Sequence, residues 1–317
     1  MATVSILIPA YKPDYLEKAL ISARNQTFTD IEILVGDDTV DGRLHDLVSR
    51  FGDPRIQYFH HGFRDGRLNS RRLWERSTAK YVKWLYDDDV LMPNSVEVLI
   101  AALQQHPDAV LAFHERVVID GNETVIHVPQ SLIPAGQMAL IDRRFLVQNL
   151  IANANNFIGE PSNVMMVRDA VDFSSVMAYR SWNVTYLTDV AMYMNLAEHA
   201  PLVLVGGYLS CFRKHEAQCS SGTSPIIAAG YYEWEVMLRG EAANGQLSAE
   251  ALIKAKEQMK RVYAHGIESR RIKELEPLLK NLDELTEQPP ADLFNSPRFL
   301  ADVANVQKMM AAHANTA

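Results

Sequence analysis

Residues 4–36 alternate between two hydrophobic periodicities, and this alternation limits the folds open to the chain. Residues 4–9 (Val-Ser-Ile-Leu-Ile-Pro) have the nearly continuous apolar pattern of a buried strand, and residues 31–36 (Ile-Glu-Ile-Leu-Val-Gly) repeat it. Between them, four apolar residues recur at helical spacing: Leu16, Ala19, Leu20 and Ala23. Strand, helix and strand at this spacing predict a βαβ unit, and therefore a parallel sheet with right-handed crossovers.

The same alternation continues after residue 36. Apolar runs predict strands at residues 55–60, 81–86 and 109–114, and helical spacing predicts helices at residues 71–77 and 95–105. The predicted fold class is therefore α/β, with a Rossmann-like, mostly parallel sheet flanked by helices.

The chain changes character beyond about residue 224, where helix formers dominate. One apolar stripe predicts a long helix and consists of Leu252, Met259, Val262, Tyr263 and Ile267. A second predicts another amphipathic helix and consists of Phe299, Leu300, Val303, Val306 and Met310. We expect a C-terminal helical extension that packs on the chain's own core, and a homodimer through these helices is left open.

Composition excludes some classes of function. The 317 residues carry a net charge of -8, which argues against nucleic-acid binding, because that affinity depends on Lys and Arg at phosphates. Only Cys211 and Cys219 are present, so we expect a reducing compartment and no disulfide framework. The N-terminus lacks a basic leader and the apolar stretch 201–212 is too short for a bilayer span of about 20 residues. We expect a cytoplasmic protein, with peripheral membrane contact left open.

Three consecutive aspartates, Asp87-Asp88-Asp89, follow the predicted strand at residues 81–86. Adjacent carboxylates repel one another unless a cation or solvent neutralises them, and hard oxygen ligands suit Mg²⁺ or Mn²⁺ bridged to substrate phosphates. The alternative is a solvated acidic turn, with Asn94 capping the next helix and Glu97 closing a capping box. The run alone does not decide between the two.

The position of the run in the predicted sheet favours the cation site. In open α/β sheets, ligands bind outside the carboxyl ends of the strands. Three segments that could bind a ligand follow predicted strands: Pro9 to Tyr11, Asp37-Asp38 and Asp87-Asp88-Asp89. Since parallel strands present these ends at one edge, we expect a metal and nucleotide site there.

These segments and others further along resemble the family 2 glycosyltransferases, which are inverting enzymes with the GT-A fold that use nucleotide-activated sugars. The likeness extends over roughly residues 3–220. The likeness rests on the opening strand through Tyr11, Gln26-Thr27 with the second strand, the Asp37-Asp38 pair, residues 80–89 with Pro93, Gly159-Glu160-Pro161-Ser162, Thr188-Asp189 at a helix start, and Arg213-Lys214-His215.

The resemblance implies a role for each matching residue. Donor binding falls to Pro9, Tyr11, Asp37, Asp38 and Asp87. A Mn²⁺ or Mg²⁺ ion is assigned to Asp88, Asp89 and His215, and the sugar or acceptor pocket to Glu160, Pro161, Ser162 and Arg213. Asp189 is the expected general base, with Glu160 as an alternative. The implied domains are a GT-A domain over residues 1–223, with a nucleotide-binding half to residue 114 and an acceptor and catalytic half from 115, and the extension over residues 224–317.

Several positions depart from the family pattern. Thr39-Val40 stands where many relatives have Gly-Ser, and Thr188 replaces the usual Glu. Tyr86 occupies a place often held by another Asp, while Arg71 and Leu73 stand where relatives often show Asn and Gly. None of these departures removes the metal or base candidates.

The resemblance implies an enzyme that moves a sugar from a UDP-, dTDP- or GDP-linked donor to a carbohydrate or lipid-linked acceptor. A Rossmann dehydrogenase is excluded, because Pro9-Ala10-Tyr11-Lys12-Pro13 cannot form a Gly-x-Gly-x-x-Gly turn. The chain also lacks the glycine-rich loop of a sugar nucleotidyltransferase and the clustered histidines often found in a metal-dependent hydrolase. The remaining alternative is a non-catalytic sugar-nucleotide-binding or scaffold protein with a degenerate site.

Overall fold

A computed structural model describes residues 2–173, 178–216, 218 and 226–314. Its strands are β1 (Val4–Ala10), β2 (Ile31–Asp37), β3 (Ile56–His60), β4 (Tyr81–Trp84), β5 (Val90–Leu91), β6 (Leu111–Ile119), β7 (Val125–His127), β8 (Met138–Ile141), β9 (Val164–Val167), β10 (Ala178–Tyr179), β11 (Trp182–Asn183) and β12 (Leu202–Arg213).

The α-helices lie between and after these strands. They are α1 (Pro13–Arg24), α2 (His45–Ser49), α3 (Gly66–Arg76), α4 (Ser95–Gln105), α5 (Arg143–Leu146), α6 (Thr188–Leu196), α7 (Ile227–Ala243), α8 (Ala249–Arg270), α9 (Glu276–Lys280), α10 (Glu284–Glu287), α11 (Pro290–Leu293) and α12 (Pro297–Ala314). A π-helical turn, Val147–Ile151, continues α5, and 3-10 turns occur at Pro161–Asn163, Arg168–Ala170 and Lys273–Leu275.

The chain forms two compact units. The first contains Met1–Ile141, Ile158–Ser174 and Leu196–His215, and the second contains Asp142–Phe157, Ser175–Asn195 and Glu216–Ala317. The predicted domain boundary between residues 223 and 224 falls outside the described residues, so it stays a prediction.

The first unit contains the large sheet, in the order β3-β2-β1-β4-β9-β6-β12-β5. Strands β3, β2, β1 and β4 are parallel, β12 is parallel to β6, and β9 runs antiparallel between β4 and β6. β5 and β8 pair antiparallel with β12, and β7 pairs with β6. The predicted α/β class is confirmed, and the four neighbouring parallel strands β3, β2, β1 and β4 are ones that the sequence pattern predicts within residues 4–86.

The core of this unit explains why β1 and β2 form where the pattern predicts them. Both strands pair along their whole length, from Val4 opposite Ile31 to Ala10 opposite Asp37. Alternate β1 side chains are buried together with the apolar face of α1. Each fully buried Leu, Ile or Val contributes roughly 1.5–3 kcal/mol, so a one-residue slip in register would be costly.

Two local predictions differ from the structure. Helix α3 begins at Gly66 instead of residue 71, because Asp65 caps it by accepting from the amides of Arg67 and Leu68. The capping box before α4 is wrong. The Asn94 side chain makes no cap hydrogen bond, and Glu97 instead accepts from the Thr27 hydroxyl at 2.7 Å.

The second unit is mainly helical. The predicted long helix and the predicted last helix are both present, as α8 and α12. β10 and β11 form a separate antiparallel pair. Across residues 2–173, 178–216 and 226–314, no helix is both long and apolar enough to cross a membrane.

Candidate active site

Hydrogen bonds join the carboxyl ends of β1, β2 and β4 into one edge. The Asp38 amide donates to the Ala10 carbonyl at 2.9 Å, which links β2 to β1. The amides of Tyr11 and Lys12 donate to Asp87 Oδ2 at 2.7 and 3.0 Å, which links β1 to the segment after β4. Pro9 lies within this edge, in register with Gly36. The prediction that the three strand ends meet is confirmed.

Asp37 organises the loop that follows β2. Its buried carboxylate accepts from the Thr39 amide at 2.8 Å, the Thr39 hydroxyl at 2.6 Å and the Leu44 amide at 3.1 Å. The Tyr58 hydroxyl donates to the same carboxylate at 2.7 Å. Burial and this carboxylate raise the pKa of Tyr58. Thr39, a departure from the family pattern, is thus part of the loop's own hydrogen bonding.

Asp38 ties the end of β2 to the loop after β3. Its Oδ1 accepts from the Phe63 amide at 2.8 Å. Burial raises the pKa of Asp38, while the amides of Phe63, Asp65 and Arg64 partly oppose that rise. Tyr11, by contrast, keeps 40% of its surface exposed. The edge therefore combines a fixed carboxylate with an accessible aromatic ring.

The three consecutive aspartates have three different sets of partners. Asp87 accepts from the two β1-end amides, and burial raises its pKa to about 6. Asp88 Oδ2 lies 3.1 Å from His215 Nε2. Asp89 is only 1% exposed, accepts from the Arg213 amide at 3.1 Å and from the Ser162 hydroxyl, and burial and the Asp88 charge raise its pKa.

Arg213 holds this segment in place. Its Nε donates to the Asp88 carbonyl at 2.8 Å and its Nη1 to the Asp120 carbonyl at 3.2 Å. Its Nη2 lies 3.3 Å from Glu123, and its guanidinium stacks 4.4 Å over the Tyr15 ring. The side chain is fully buried by these contacts, so it acts here on the aspartate segment.

The donor set around Asp88 fits a divalent cation that keeps other ligands. Among the residues that the structure describes, no three His, Cys, Asp or Glu side chains group closely enough to hold a metal by themselves. Asp88 and His215 nevertheless present an oxygen and a nitrogen together. Mg²⁺ in particular is usually bound by one or two carboxylates plus water and substrate phosphates, so Asp88 beside His215 is compatible with such an ion. The assignment of Asp88, Asp89 and His215 as metal ligands stays a prediction.

The Gly159–Ser162 turn is locked to the strand that precedes the aspartates. Glu160 forms an ion pair with Arg116 at 2.5 Å, and Pro161 opens the 3-10 turn. The Tyr86 amide donates to Ser162 Oγ at 3.0 Å, and Lys83 Nζ donates to the Ser162 carbonyl. Desolvation lowers the pKa of the fully buried Lys83 to about 7.

Asp189 is the second residue of α6, in the second unit. Its Oδ1 accepts from the Val190 amide at 2.8 Å, and its Oδ2 accepts from Asn156 Nδ2 at 2.8 Å. The carboxylate is thus oriented through both oxygens. Thr188, which replaces the usual Glu, is the first residue of the helix.

Sequence reasoning missed three supporting residues. Lys83 is a charged residue within an otherwise apolar strand, a pattern that could have marked it as buried and paired. Arg116 lies in the polar run His114-Glu115-Arg116 of β6, which could have marked it in the same way. Asn156 carries no such signal, because its partner Asp189 lies 33 residues away.

Comparison with known proteins gives matches to part of the chain. The family model described as "Glycosyl transferase family 2" matches residues 5–172. A Campylobacter jejuni protein described as GalNAc(5)-diNAcBac-PP-undecaprenol beta-1,3-glucosyltransferase is 30% identical over 105 residues, 32% of this chain and 34% of that protein. An uncharacterized glycosyltransferase of Rickettsia felis is 27% identical over 143 residues, 43% of this chain and 23% of that protein. The matches thus span about a third or less of these relatives.

Solved structures share the fold over nearly the whole chain. S. aureus TarS 1-349 in complex with UDP-GlcNAc matches with a TM-score of 0.55 and 15% identity, covering 93% of this chain and 91% of that one. A longer TarS structure matches with a TM-score of 0.59 and 13% identity, covering 92% of this chain and 55% of that one. At this identity the likeness establishes the GT-A fold alone.

Proposed function

Since the chain belongs to glycosyl transferase family 2, we propose that it transfers a sugar from a nucleoside diphosphate donor to an acceptor hydroxyl with inversion. The observation that carries this proposal is the hydrogen-bonded edge of β1, β2 and β4, where Asp88 and His215 lie 3.1 Å apart. The edge is the place where open α/β sheets bind ligands.

The donor's nucleoside is assigned to the β1 and β2 ends. The exposed ring of Tyr11 offers a surface for a nucleobase, and Asp38 offers a carboxylate for a base imide or ribose hydroxyl. Asp37 supports this site by ordering the loop after β2. Asp87 accepts from the amides at the β1 end and is a candidate for a ribose contact. TarS was solved in complex with UDP-GlcNAc and with UDP, so UDP is the first nucleotide to test, followed by dTDP and GDP.

Asp88 and His215 would hold Mn²⁺ or Mg²⁺, with Asp89 as the further candidate ligand. Such an ion supplies positive charge to the diphosphate leaving group without proton transfer. Arg213 and Ser162 contact the aspartate segment through hydrogen bonds to Asp88 and Asp89.

Proton removal is assigned to Asp189. As the acceptor oxygen bonds to the anomeric carbon, the bond from that carbon to the diphosphate oxygen breaks, and the acceptor proton passes to the carboxylate. General-base catalysis of this kind contributes about 10²–10⁴-fold. The Asn156 contact supports the assignment, because it orients the carboxylate. We propose a carbohydrate acceptor, free or lipid-linked, and a cytoplasmic location for the reaction.

Turnover tests the proposal against the scaffold alternative. With Mn²⁺ or Mg²⁺, the purified chain should release nucleoside diphosphate from one of the nucleotide-sugars and transfer the sugar to an acceptor. Asp189→Asn should reduce transfer at least about 100-fold while donor affinity stays near the wild-type value. The matched control is Asp292→Asn, an exposed aspartate in the first turn of α11, which should leave transfer unchanged.

One outcome would contradict the transferase activity, and another would contradict only the assignment of the base. Donor binding without turnover across a panel of carbohydrate and lipid-linked acceptors would favour the scaffold. Full transfer activity in Asp189→Asn would refute the base assignment while leaving the transferase activity in place.

A further inference from the structure

The segment that leads into α6 donates three consecutive amides to one buried carboxylate. The amides of Thr185, Tyr186 and Leu187 lie 2.5, 2.9 and 2.8 Å from the Glu233 carboxylate oxygens. Glu233 belongs to α7 and is only 2% exposed. Hydrogen bonds from amides to an ionised carboxylate are among the stronger ones in proteins, so this contact fixes the backbone just before Thr188 and Asp189.

The other end of α6 is held by the same helix through an arginine. Arg143 Nη1 donates to the Met194 carbonyl at 2.7 Å, and Arg143 Nη2 donates to Glu241 Oε1 at 2.6 Å. Glu241 is fully buried and lies on α7, about 12 Å along the helix from Glu233 at 1.5 Å per residue. That spacing is close to the roughly 10 Å rise from Leu187 to Met194.

A glycine lets α7 approach the same segment closely. A Cβ at Gly230 would lie 2.6 Å from Cδ1 of Tyr186, well inside van der Waals contact. The backbone of α7 therefore lies directly against the Tyr186 ring, one helical turn before Glu233. The hydrogen bonds of Glu233 and the packing at Gly230 are thus two independent contacts between α7 and residues 185–187, the segment before α6.

We propose that Glu233 is a positioning residue for the general base, assisted by Glu241 through Arg143. This inference rests on the proposed function, in which Asp189 removes the acceptor proton. Asp189 is the second residue of α6, so a shift of the preceding amides displaces its carboxylate. A displacement of about 1 Å in a catalytic group can cost about 100-fold in rate. Helix α7 thereby contributes to catalysis through the position of Asp189.

A purely structural role for Glu233 predicts a different outcome, and the chain offers a matched control. Glu235 is two positions further along α7 and is 1% exposed. Its carboxylate pairs with Arg239 at 2.7 Å and accepts from the Tyr263 hydroxyl of α8, so it does not contact the α6 approach in these bonds. Replacing either glutamate removes a buried charge, but only Glu233 bonds to the segment before Asp189.

The experiment compares Glu233→Gln with Glu235→Gln in the full chain. Glutamine keeps the size of the side chain but presents an NH₂ group to amides that need acceptors. We expect Glu233→Gln to lower kcat about 10- to 100-fold, with the donor KM within about twofold of the wild-type value. Both variants should lose thermal stability, and Glu235→Gln should retain kcat within about threefold of the wild-type value.

Hydrogen exchange gives a second readout that needs no turnover. The amides of residues 185–195 should exchange at least about tenfold faster in Glu233→Gln, whereas Glu235→Gln should leave them unchanged. Equal kcat and equal exchange at residues 185–195 in the two variants would overturn the inference. An inactive wild type would refute the proposed function. Faster exchange in Glu233→Gln would then show only that Glu233 orders α6, without a role in catalysis. An active Asp189→Asn would refute the base assignment separately.

Discussion

The three consecutive aspartates of the first unit have different hydrogen-bond and ion-pair partners. Asp87 accepts two amides from the end of β1, Asp88 pairs with His215, and Asp89 is buried against the Arg213 amide. Three carboxylates placed together would repel one another. Each carboxylate has its own neighbours: the β1-end amides at Asp87, His215 at Asp88 and the Arg213 amide at Asp89. Single positions, and their partners elsewhere in the chain, thus determine the chemistry of the edge.

Gly159 is a second position where one residue determines local geometry. Its φ is +87°, and a Cβ would lie 2.4 Å from both Arg116 Nη1 and Asn163 Nδ2. Gly159→Ala should therefore reduce the free energy of unfolding by about 2–4 kcal/mol, through backbone strain and steric overlap. Urea unfolding measures this change.

Gly136→Ala is the matched control for that substitution. Gly136 has a similar φ of +79° but no heavy atom within 4 Å of the added Cβ. Gly136→Ala should lose only about 1 kcal/mol of unfolding free energy, because backbone strain is its sole cost. Equal losses for the two variants would show that the Arg116 and Asn163 side chains move aside without cost.

His114 makes stability depend on pH. Burial, together with the nearby Lys83 charge, lowers the pKa of His114 well below its ordinary value of 6.5. Its Nδ1 faces the Glu115 carbonyl at 2.9 Å and its Nε2 the Ser95 hydroxyl at 3.0 Å, which suits a neutral ring. The unfolded chain therefore binds a proton below about pH 6.5 that the folded chain does not, and stability falls as the pH falls.

The size of this effect follows from one proton. Between pH 6.5 and 5.5 the His114 contribution should rise from about 0.7 to about 1.2 kcal/mol of unfolding free energy per pH unit. His114→Gln should be less stable at pH 7.5 but should lose less stability on acidification. Urea unfolding at pH 7.5, 6.5 and 5.5 gives the two slopes, and parallel slopes would contradict the assignment.

At the scale of elements, hydrophobic periodicity predicted the helices and strands well where one face is buried. Strands β1, β2 and β3, helix α4 and the long helix α8 lie close to their predicted ranges. Helix α3 was misplaced at its start, because its first turn is polar and only the Asp65 cap marks it. Periodicity reports burial of a face, so it cannot detect a turn that is held by capping alone.

Helix α7 depends on close approach at Gly230. Gly230→Ala should gain up to about 1 kcal/mol of helix propensity but lose about 1–3 kcal/mol from overlap with Tyr186. The net result should be destabilisation of the second unit, measured by thermal unfolding. Gly66→Ala in α3 is the control, since nothing lies within 4 Å of its Cβ. A loss of stability at Gly66, or a gain at Gly230, would contradict this packing argument.

At the scale of the whole molecule, the chain is two compact units, and the residues assigned to the reaction are distributed over both. The donor and metal candidates belong to the first unit, and Asp189 belongs to the second. The family match ends at residue 172, before Asp189. The helices beyond residue 226 supply Glu233 and Glu241 to the unit that contains the base candidate.

A ligand that binds the native state should stabilise the whole chain. At a concentration of 100 times Kd, a nucleoside diphosphate should add about 2.7 kcal/mol, seen as a rise of several degrees in Tm. UDP, dTDP and GDP, each with and without Mn²⁺, identify the base by the largest rise. In Asp88→Ala the additional rise due to Mn²⁺ should disappear, while the rise due to nucleotide alone should remain.

Asp292→Ala is the control for the thermal shifts. Asp292 is an exposed residue in the first turn of α11, in the second unit. This variant should keep the whole shift. An Asp88→Ala protein with an intact Mn²⁺ increment would show that the cation binds elsewhere.

The sequence by itself determined the α/β class, the first strands along the chain and the segments that end at the ligand edge. These properties follow from local patterns, in which a strand or helix is specified by residues a few positions apart. Only the tertiary structure decided how the three aspartates divide their partners and which residues orient the base. Those contacts join residues far apart in sequence, as between Tyr11 and Asp87 or Leu187 and Glu233, with separations of 76 and 46 residues. Buried polar groups need such partners, and no local pattern specifies which distant residue supplies them.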